Sequence, residues 1–252
     1  IEVGPPAPGQ ARLRIVLSGI SHGTEMTAFL GASPFLARKF TQDRVFTARE
    51  PSDPPFYPYR YMGYDAVGVV DRVGAGVTAY LTGDRVWCPC HHQTEYIFEA
   101  ASPEIFRLSD QVSNEEAILL NLAAVALTAT NDAEIKLGGV VAVVGGGAVG
   151  QLTVQTAFAG GARKVFLIEP SRERRQFAVG RSAVVPIDPS EGIPALQIQR
   201  HNDGNPPDVV IECSGAVAGL HTAIQAAGIA GTVVAAGFLT GPATALCLGE
   251  EF

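Results

Sequence analysis

The five residues CPCHH put Cys88, Cys90, His91 and His92 into one short stretch. Thiolate and imidazole are the donors zinc prefers, so the run raises a question of metal chemistry. The Cys-x-Cys step lacks the two-residue gap of a zinc knuckle, and four ligands packed into five residues cannot easily surround one tetrahedral ion. A loop or strand end with small, partly buried thiols fits the spacing better than a metal site. A third reading gives His91 or His92 an acid–base role, because imidazole changes charge near neutral pH.

A second chemical signal lies at residues 140–152, VVAVVGGGAVGQL. Gly145-x-Gly147-x-x-Gly150 follows a β-branched run and opens an apolar helix, the context that gives such a motif meaning. Gly145 permits the tight turn, Gly147 lets backbone approach a pyrophosphate, and Gly150 lets helix and strand pack closely. Free amides at the helix start, around Ala148 and Val149, would bind the phosphates. The competing readings are a glycine-rich turn of an unrelated α/β protein and a methyltransferase binding another adenosine cofactor. Glu169 ends the next predicted strand, nineteen residues after Gly150, where a carboxylate accepts hydrogen bonds from an adenosine ribose. A 2′-phosphate would face that carboxylate, and two unit charges at about 4 Å repel by about 4 kcal/mol at an effective dielectric of 20. The pattern therefore favours NAD over NADP. Arg172 gives the opposing signal, since it could pair with a phosphate or simply stand in solvent at the start of a helix.

These groups must be held by two kinds of architecture. Residues 1 to about 110 alternate short β-type runs with Gly- and Pro-rich turns: 11–19, 66–74, 84–87 and 95–101. Spacing of this kind predicts a β barrel or sandwich. Residues 32–61 read as a long excursion with helical character at SPFLARKF. From Ser113, a predicted N-cap, an apolar helix runs to about 130. Five strands then alternate with helices: 139–145, 164–169, 183–188, 208–215 and 231–238. Such alternation means right-handed βαβ units and a parallel sheet. The expected domains are 1–124 and 125–252. A full doubly wound dinucleotide fold has six strands. The chain starts at Ile1, has its first Met at Met26 and closes on GEEF, so it reads as cut short at both ends.

Bulk composition excludes several classes. Hydrophobic residues make up 47% and charged residues 17% of 252, enough apolar material for a sizeable core and little ground for disorder. A formal charge of −7 lacks the basic footprint of a nucleic-acid binder. The longest apolar run, 117–129, is too short for a bilayer span and carries Asn121. The first ten residues do not resemble a signal peptide. Cys88, Cys90, Cys213 and Cys247 show no disulfide-framework spacing, which makes a cytoplasmic location the default expectation.

Taken in order, SGISHGTE (18–25), GYDAVGVVDRVGAGV (63–77), GDRVW (83–87), VAVVGGGAVGQL (141–152) and DVVIECSG (208–215) resemble the medium-chain dehydrogenase/reductase superfamily. The similarity is greatest to zinc-binding alcohol dehydrogenase-like proteins in the branch that includes bacteriochlorophyllide a dehydrogenase. The resemblance implies an α/β protein: an N-terminal GroES-like domain followed by a Rossmann domain that is incomplete here. It also implies hydride transfer between a nicotinamide cofactor and a small organic molecule, and it leaves a homodimer open through pairing of Rossmann sheet edges. Zinc members carry Cys, His and Glu where this chain has Ser21, Tyr64 and Asp65. Hydroxyl and phenol are poor zinc donors, so no zinc is expected. The family's structural-zinc lobe has no room between GDRVW and the strand after CPCHH, a loop that in relatives enters the catalytic cleft.

Without a Lewis acid, hydride transfer to or from a carbonyl needs hydrogen-bond donors and a general acid/base. His22, His91, His92 and Tyr64 are the candidates, with Asp65 able to orient one of them or to serve as a buried structural carboxylate paired with an arginine. By resemblance Thr128 borders the nicotinamide, and Cys213 and Gly215 close the strand passing its ribose, with Cys213 a packing residue and no nucleophile. Gly237 is assigned to the cofactor as well. The expected function is a zinc-independent, NAD-dependent oxidoreductase. It would interconvert alcohol and ketone or reduce a conjugated C=C bond of a small-molecule substrate. The alternatives are a dinucleotide-binding sensor or scaffold without turnover, and an alcohol dehydrogenase with atypical zinc ligands.

Overall fold

The computed structural model describes residues 3–43, 45–58, 62–179 and 183–239. The chain divides into two compact units, Ile1–Asn121 and Leu122–Phe252, where the sequence reading puts the boundary after residue 124. Cys247, the closing GEEF and the question of a sixth strand lie outside the described residues, as do positions 44 and 59–61 of the long excursion.

The first unit contains β1 (Gln10–Ser18), α1 (Thr24–Phe29), β2 (Arg38–Phe40), β3 (Phe46–Ala48), β4 (Ala66–Val73), β5 (Arg85–Cys88), β6 (Glu95–Glu99), β7 (Phe106–Arg107) and α2 (Asn114–Ala117). Five strands form an antiparallel sheet of order β6-β1-β4-β5-β7. Successive strand residues face opposite sides, and β5 displays this alternation. Val86 and Cys88 join a core with Leu13, Val70 and Phe98, while Trp87 turns the other way onto Val67 and Ala117. In β1 the register against β4 shifts between Arg12 and Leu13 and again between Ile15 and Leu17. Bulges of this kind bend a strand and re-aim its end, and here Ser18 finishes opposite Ala66.

Two sequence expectations need correction in this unit. SPFLARKF is not a helix beyond one 3₁₀ turn at Pro34–Leu36, capped by Ser33. Arg38–Phe40 instead pairs antiparallel with Phe46–Ala48. Phe46 packs its ring 5.0 Å from Phe40 and 5.3 Å from Phe35, and cross-strand aromatic pairs of this sort outweigh a modest helix preference. The single helix expected from Ser113 is also two helices. Ser113 does cap α2 with a full capping box, but a short bond from Leu119 N–H to Glu116 O closes that helix and α3 (Leu120–Asp132) starts afresh. The sequence reading did not foresee α1 or β7.

The second unit continues with β8 (Val140–Val144), α4 (Ala148–Ala159), β9 (Lys164–Ile168), α5 (Arg172–Val179), β10 (Val184–Ile187), α6 (Pro194–Arg200), β11 (Val209–Glu212), α7 (Val217–Ala226) and β12 (Thr232–Ala235). All pairings are parallel, in the order β10-β9-β8-β11-β12. Renumbered within the unit this is 3-2-1-4-5, the order that puts a topological switch point beside the first strand. Every residue of β8 is buried because both sheet faces are covered. Val141 and Val143 meet Ala129, Val154 and Ala157 on one side; Val140, Ala142 and Val144 meet Phe166, Ala223 and Ala226 on the other. A strand covered on both faces loses the alternating pattern. Among the described residues no helix is long and apolar enough to cross a membrane.

Candidate functional site

In the second unit the glycine motif forms the turn from β8 into α4. Gly145 has φ +96°, and a Cβ there would lie 2.8 Å from the Ser214 backbone. A Cβ on Gly150 would lie 1.8 Å from Gly145 O. Gly147 differs from both. It is the N-cap of α4, has ordinary backbone angles and no side-chain cap, and a Cβ there would meet nothing within 4 Å. Ala148, Val149 and Gly150 open the helix behind it, and first-turn amides of a helix have no intrahelical acceptor. The loop therefore offers open space in front of free donors, the arrangement a pyrophosphate requires.

Glu169 follows β9 and lies against this loop, 3% exposed. Its Oε2 accepts the amide of Gly146 at 2.6 Å and its Oε1 the amide of Ser171 at 2.8 Å. Each oxygen keeps one further acceptor position. Arg172 is exposed at the start of α5. Arg175, one turn on, pairs with Asp188 and donates to the Glu169 carbonyl. At the end of β11, Glu212 is fully buried. Its Oε1 accepts the amides of Ser214 at 2.6 Å and Gly215 at 3.1 Å and the Ser214 hydroxyl, while Oε2 has no partner. This carboxylate explains two glycines. Gly215 turns with φ +68°, and a Cβ on Gly237 would sit 2.5 Å from Glu212 Oε2. Cys213 packs beside the core, its sulfur 3.5 Å from Thr153 Oγ1, and burial pushes its thiol up to about 12. That environment suits packing and not nucleophilic attack. Thr128 is exposed on α3, whereas Thr130 is buried and bonded to Thr156.

In the first unit a polar cluster gathers where β1, α1, β4 and the loop after β5 meet. His92 lies at its centre. Nε2 of His92 is 2.8 Å from Glu25 Oε1, and Nδ1 is 2.5 Å from Ser18 Oγ. Glu25 is 4% exposed, and its Oε2 accepts the Ser21 amide at 2.5 Å. The loop carrying the histidines is pinned to residues 62–63: His92 N–H donates to Met62 O at 2.8 Å, and His91 Nδ1 lies 2.9 Å from Gly63 O. Only glycine fits at 63, since φ is +99° and a Cβ would come within 2.6 Å of the His92 nitrogen. α1 also lends Ala28 and Phe29 to an apolar pocket of about 290 Å³ that Tyr57, Pro58 and Met62 complete.

Of the two parts open to Asp65 it takes the buried structural one, with an indole and not an arginine as its partner. It accepts the Trp87 indole N–H at 3.1 Å, because strand alternation turns Trp87 toward it and a buried indole needs an acceptor. Burial raises its pKa to about 6 against the lowering effect of the Trp87 and Asn121 hydrogen bonds. The residue that does orient a histidine is Glu25, which the sequence reading missed although it closes the quoted SGISHGTE. His22 is exposed on the turn before α1 and stands outside this hydrogen-bonded group. Tyr64 is half-buried, with its carbonyl accepting from Asn121 at 3.2 Å. Cys88 and Cys90 are fully buried, beyond the partial burial expected, with sulfurs 3.4 Å apart in the core. Their hydrogen bond, together with burial, pushes the Cys88 thiol up.

An antiparallel first unit followed by a doubly wound, glycine-looped second unit is the architecture of a two-domain dinucleotide-dependent dehydrogenase. Comparison with known proteins agrees. Residues 8–105 match the alcohol dehydrogenase GroES-like domain family, and residues 148–249 match the family described as zinc-binding dehydrogenase. The chain is 30% identical over 248 residues to D-guloside 3-dehydrogenase of Shigella flexneri, covering 96% of this chain and 70% of that protein. It superposes on the crystal structure of 2R,3R-butanediol dehydrogenase from Bacillus subtilis with a TM-score of 0.71 and 26% identity, covering 93% and 72%. A structure from Sinorhizobium meliloti 1021 described as a zinc-binding dehydrogenase, bound to NADP, shares the fold at a TM-score of 0.75 and 23% identity, covering 95% and 72%. The chain belongs to the medium-chain dehydrogenase/reductase superfamily and is an oxidoreductase.

The family implies a dinucleotide and, in many members, zinc. The loop at Gly145–Gly150 fits the first, with its open space at Gly147 and its free first-turn amides. The residues at the zinc positions do not fit the second. Ser21 offers a hydroxyl that accepts from the Thr24 amide at 3.3 Å, Tyr64 a phenol, and Asp65 a carboxylate already holding an indole. Among the described residues no group of three or more His, Cys, Asp and Glu side chains is disposed to hold a metal ion.

Proposed function

We propose that the protein interconverts a secondary alcohol and its ketone using NAD(H) in preference to NADP(H), and does so without zinc. The observation that carries this reading is the contrast within one chain between an intact nucleotide loop, open at Gly147, and oxygen-only side chains at the zinc positions. The bound dinucleotide supplies the hydride acceptor or donor; Gly145, Gly147 and Gly150 would hold its pyrophosphate and Glu169 its adenosine ribose. Both compounds named for the relatives, a guloside and a butanediol, carry a secondary hydroxyl beside a second carbon–oxygen bond. That supports alcohol oxidation over reduction of a conjugated C=C bond.

Cofactor preference follows from electrostatics. The repulsion of about 4 kcal/mol between Glu169 and a 2′-phosphate, halved by Arg172, leaves about 2 kcal/mol, or some thirtyfold. Fluorescence titrations should give NADH at least tenfold tighter binding than NADPH, and Glu169→Ser should narrow or reverse the ratio. A wild type preferring NADPH, or a ratio unmoved in the variant, defeats the assignment of Glu169. Metal analysis is the companion test. Purified protein should carry far less than one zinc per chain, with activity indifferent to chelator; a stoichiometric zinc lost together with activity would overturn the zinc-free reading.

A further inference from the structure

A zinc-free site needs another way to handle the substrate's hydroxyl proton, and the cluster around His92 supplies one. Glu25 presents both carboxylate oxygens as acceptors, one to the Ser21 amide and one to His92 Nε2. An imidazole facing such an acceptor keeps its proton on Nε2, so Nδ1 is left with a lone pair. Ser18 Oγ lies 2.5 Å from that lone pair and 3.4 Å from its other acceptor, the Asp65 carbonyl. A hydroxyl has one proton to give, and the shorter contact takes it. With the imidazole neutral, the direction of the chain follows: Ser18 O–H donates to Nδ1, and Nε2–H donates to Glu25. Ser18, half-buried at the end of β1, is left with acceptor capacity on its oxygen. The His92 side chain is 31% exposed, which gives the proton an exit to water. Glu25 is buried, and its grip on the Ser21 amide holds it in place.

We propose that Ser18, His92 and Glu25 form the proton relay of this oxidoreductase, with Ser18 Oγ the atom that meets the substrate's hydroxyl. The relay rests on the proposed zinc-free alcohol oxidation. In oxidation the substrate O–H bond breaks and its proton goes to Ser18 Oγ, while Ser18's own proton moves to His92 Nδ1. The carbinol hydride leaves with its electron pair to the oxidised dinucleotide, and the C–O single bond becomes the carbonyl. The alcohol is oxidised, the dinucleotide is reduced, and one proton remains on an imidazolium that Glu25 faces and that releases it to solvent. Reduction runs the same steps backwards. Ser18 is the catalytic residue, His92 carries the proton, and Glu25 is a positioning residue that sets the tautomer.

Two measurements test this. Nitrogen-15 NMR of the protein without substrate should find His92 protonated on Nε2 and bare on Nδ1, and Glu25→Gln should disturb that tautomer while Glu25→Asp keeps it. A wild-type His92 protonated on Nδ1 overturns the relay, because Ser18 could not then donate into it. In oxidation of a panel of butanediol, sorbitol and a methyl hexoside with NAD, Ser18→Ala and His92→Gln should each lower kcat about a hundredfold, the lower range for a lost general acid/base. The Kd for NAD should stay within about twofold of wild type. Undiminished kcat in a folded Ser18→Ala overturns the relay. Failure of the functional reading looks different: a wild type that binds NAD and oxidises none of the panel overturns both, whatever the variants do.

Discussion

At the start of α2, Ser113 Oγ accepts the amide of Glu116 at 3.1 Å, and Glu116 returns a carboxylate oxygen to the Ser113 amide at 2.8 Å. At the start of α4, Gly147 has no side chain to do either. The first helix end satisfies itself, and the second leaves its donors to a ligand. The same contrast runs through the two units. In the first, carboxylates, imidazole, indole and hydroxyl are bonded to one another, with Ser18 the point where the chain of bonds reaches outward. In the second, the glycine loop is defined by the atoms it lacks. A polar group closed on its neighbours can move a proton along a fixed line, whereas an open helix end can only bind, and a dehydrogenase needs both.

Substitutions that add side-chain carbons separate the two kinds of glycine in the open unit. Gly150→Ala should do the greatest damage, because its Cβ would lie 1.8 Å from Gly145 O, a backbone atom. A loss of about 4 kcal/mol or more is expected, read as a fall in the melting temperature of the second unit. Gly147→Val should leave that melting temperature near wild type, since the space is empty. It should weaken NADH about a thousandfold, roughly 4 kcal/mol, by filling the room the pyrophosphate needs. Unchanged NADH affinity in a folded Gly147→Val would mean that α4 does not hold the cofactor.

In the closed unit the counterpart is Gly63→Ala. Strain at φ +99° and a Cβ 2.6 Å from the His92 nitrogen should cost about 3 kcal/mol and pull His91 and His92 off residues 62–63. Thermal unfolding should register the loss, while NADH affinity stays at the wild-type value. A parallel drop in NADH affinity would show that the two units do not divide the work in this way.

How much of this could be read from the sequence depends on how local each signal is. Gly145, Gly147 and Gly150 mark a turn from one strand into the next helix, and β8, β9 and β11 fill buried runs, so the loop and the parallel sheet of alternating strands and helices were legible. Ser113 was legible as an N-cap for the same reason. Glu25 and His92 lie 67 residues apart and meet because β1, β4 and β5 pair; no periodicity announces that meeting. The choice between the two parts open to Asp65 was settled by strand alternation, since the indole of Trp87 reaches it and no imidazole does. SPFLARKF failed because the tilted rings of Phe40 and Phe46 pack across strands, a contact that composition cannot reveal.

The smallest expected effect concerns a carboxylate in the closed unit whose burial carries a pH-dependent cost. Asp65 is 5% exposed, and its pKa rises from 3.8 to about 6, chiefly through burial, with the charge of Glu25 adding to it and the bonds from Trp87 and Asn121 opposing. An acid whose folded pKa is raised binds its proton more tightly when folded. Its contribution to stability is therefore fully present below about pH 4 and is lost as pH rises through about 6. Two pKa units set a ceiling of about 3 kcal/mol. Asp65→Asn removes the buried charge yet keeps an oxygen for the Trp87 indole. The variant should be more stable than wild type by about 2 kcal/mol at pH 8 and indistinguishable from it near pH 4. Denaturant unfolding of both proteins at the two pH values checks this. A gain of equal size at both would mean that packing, and not the buried charge, sets the difference, and Asp65 would then be an ordinary carboxylate held by its indole.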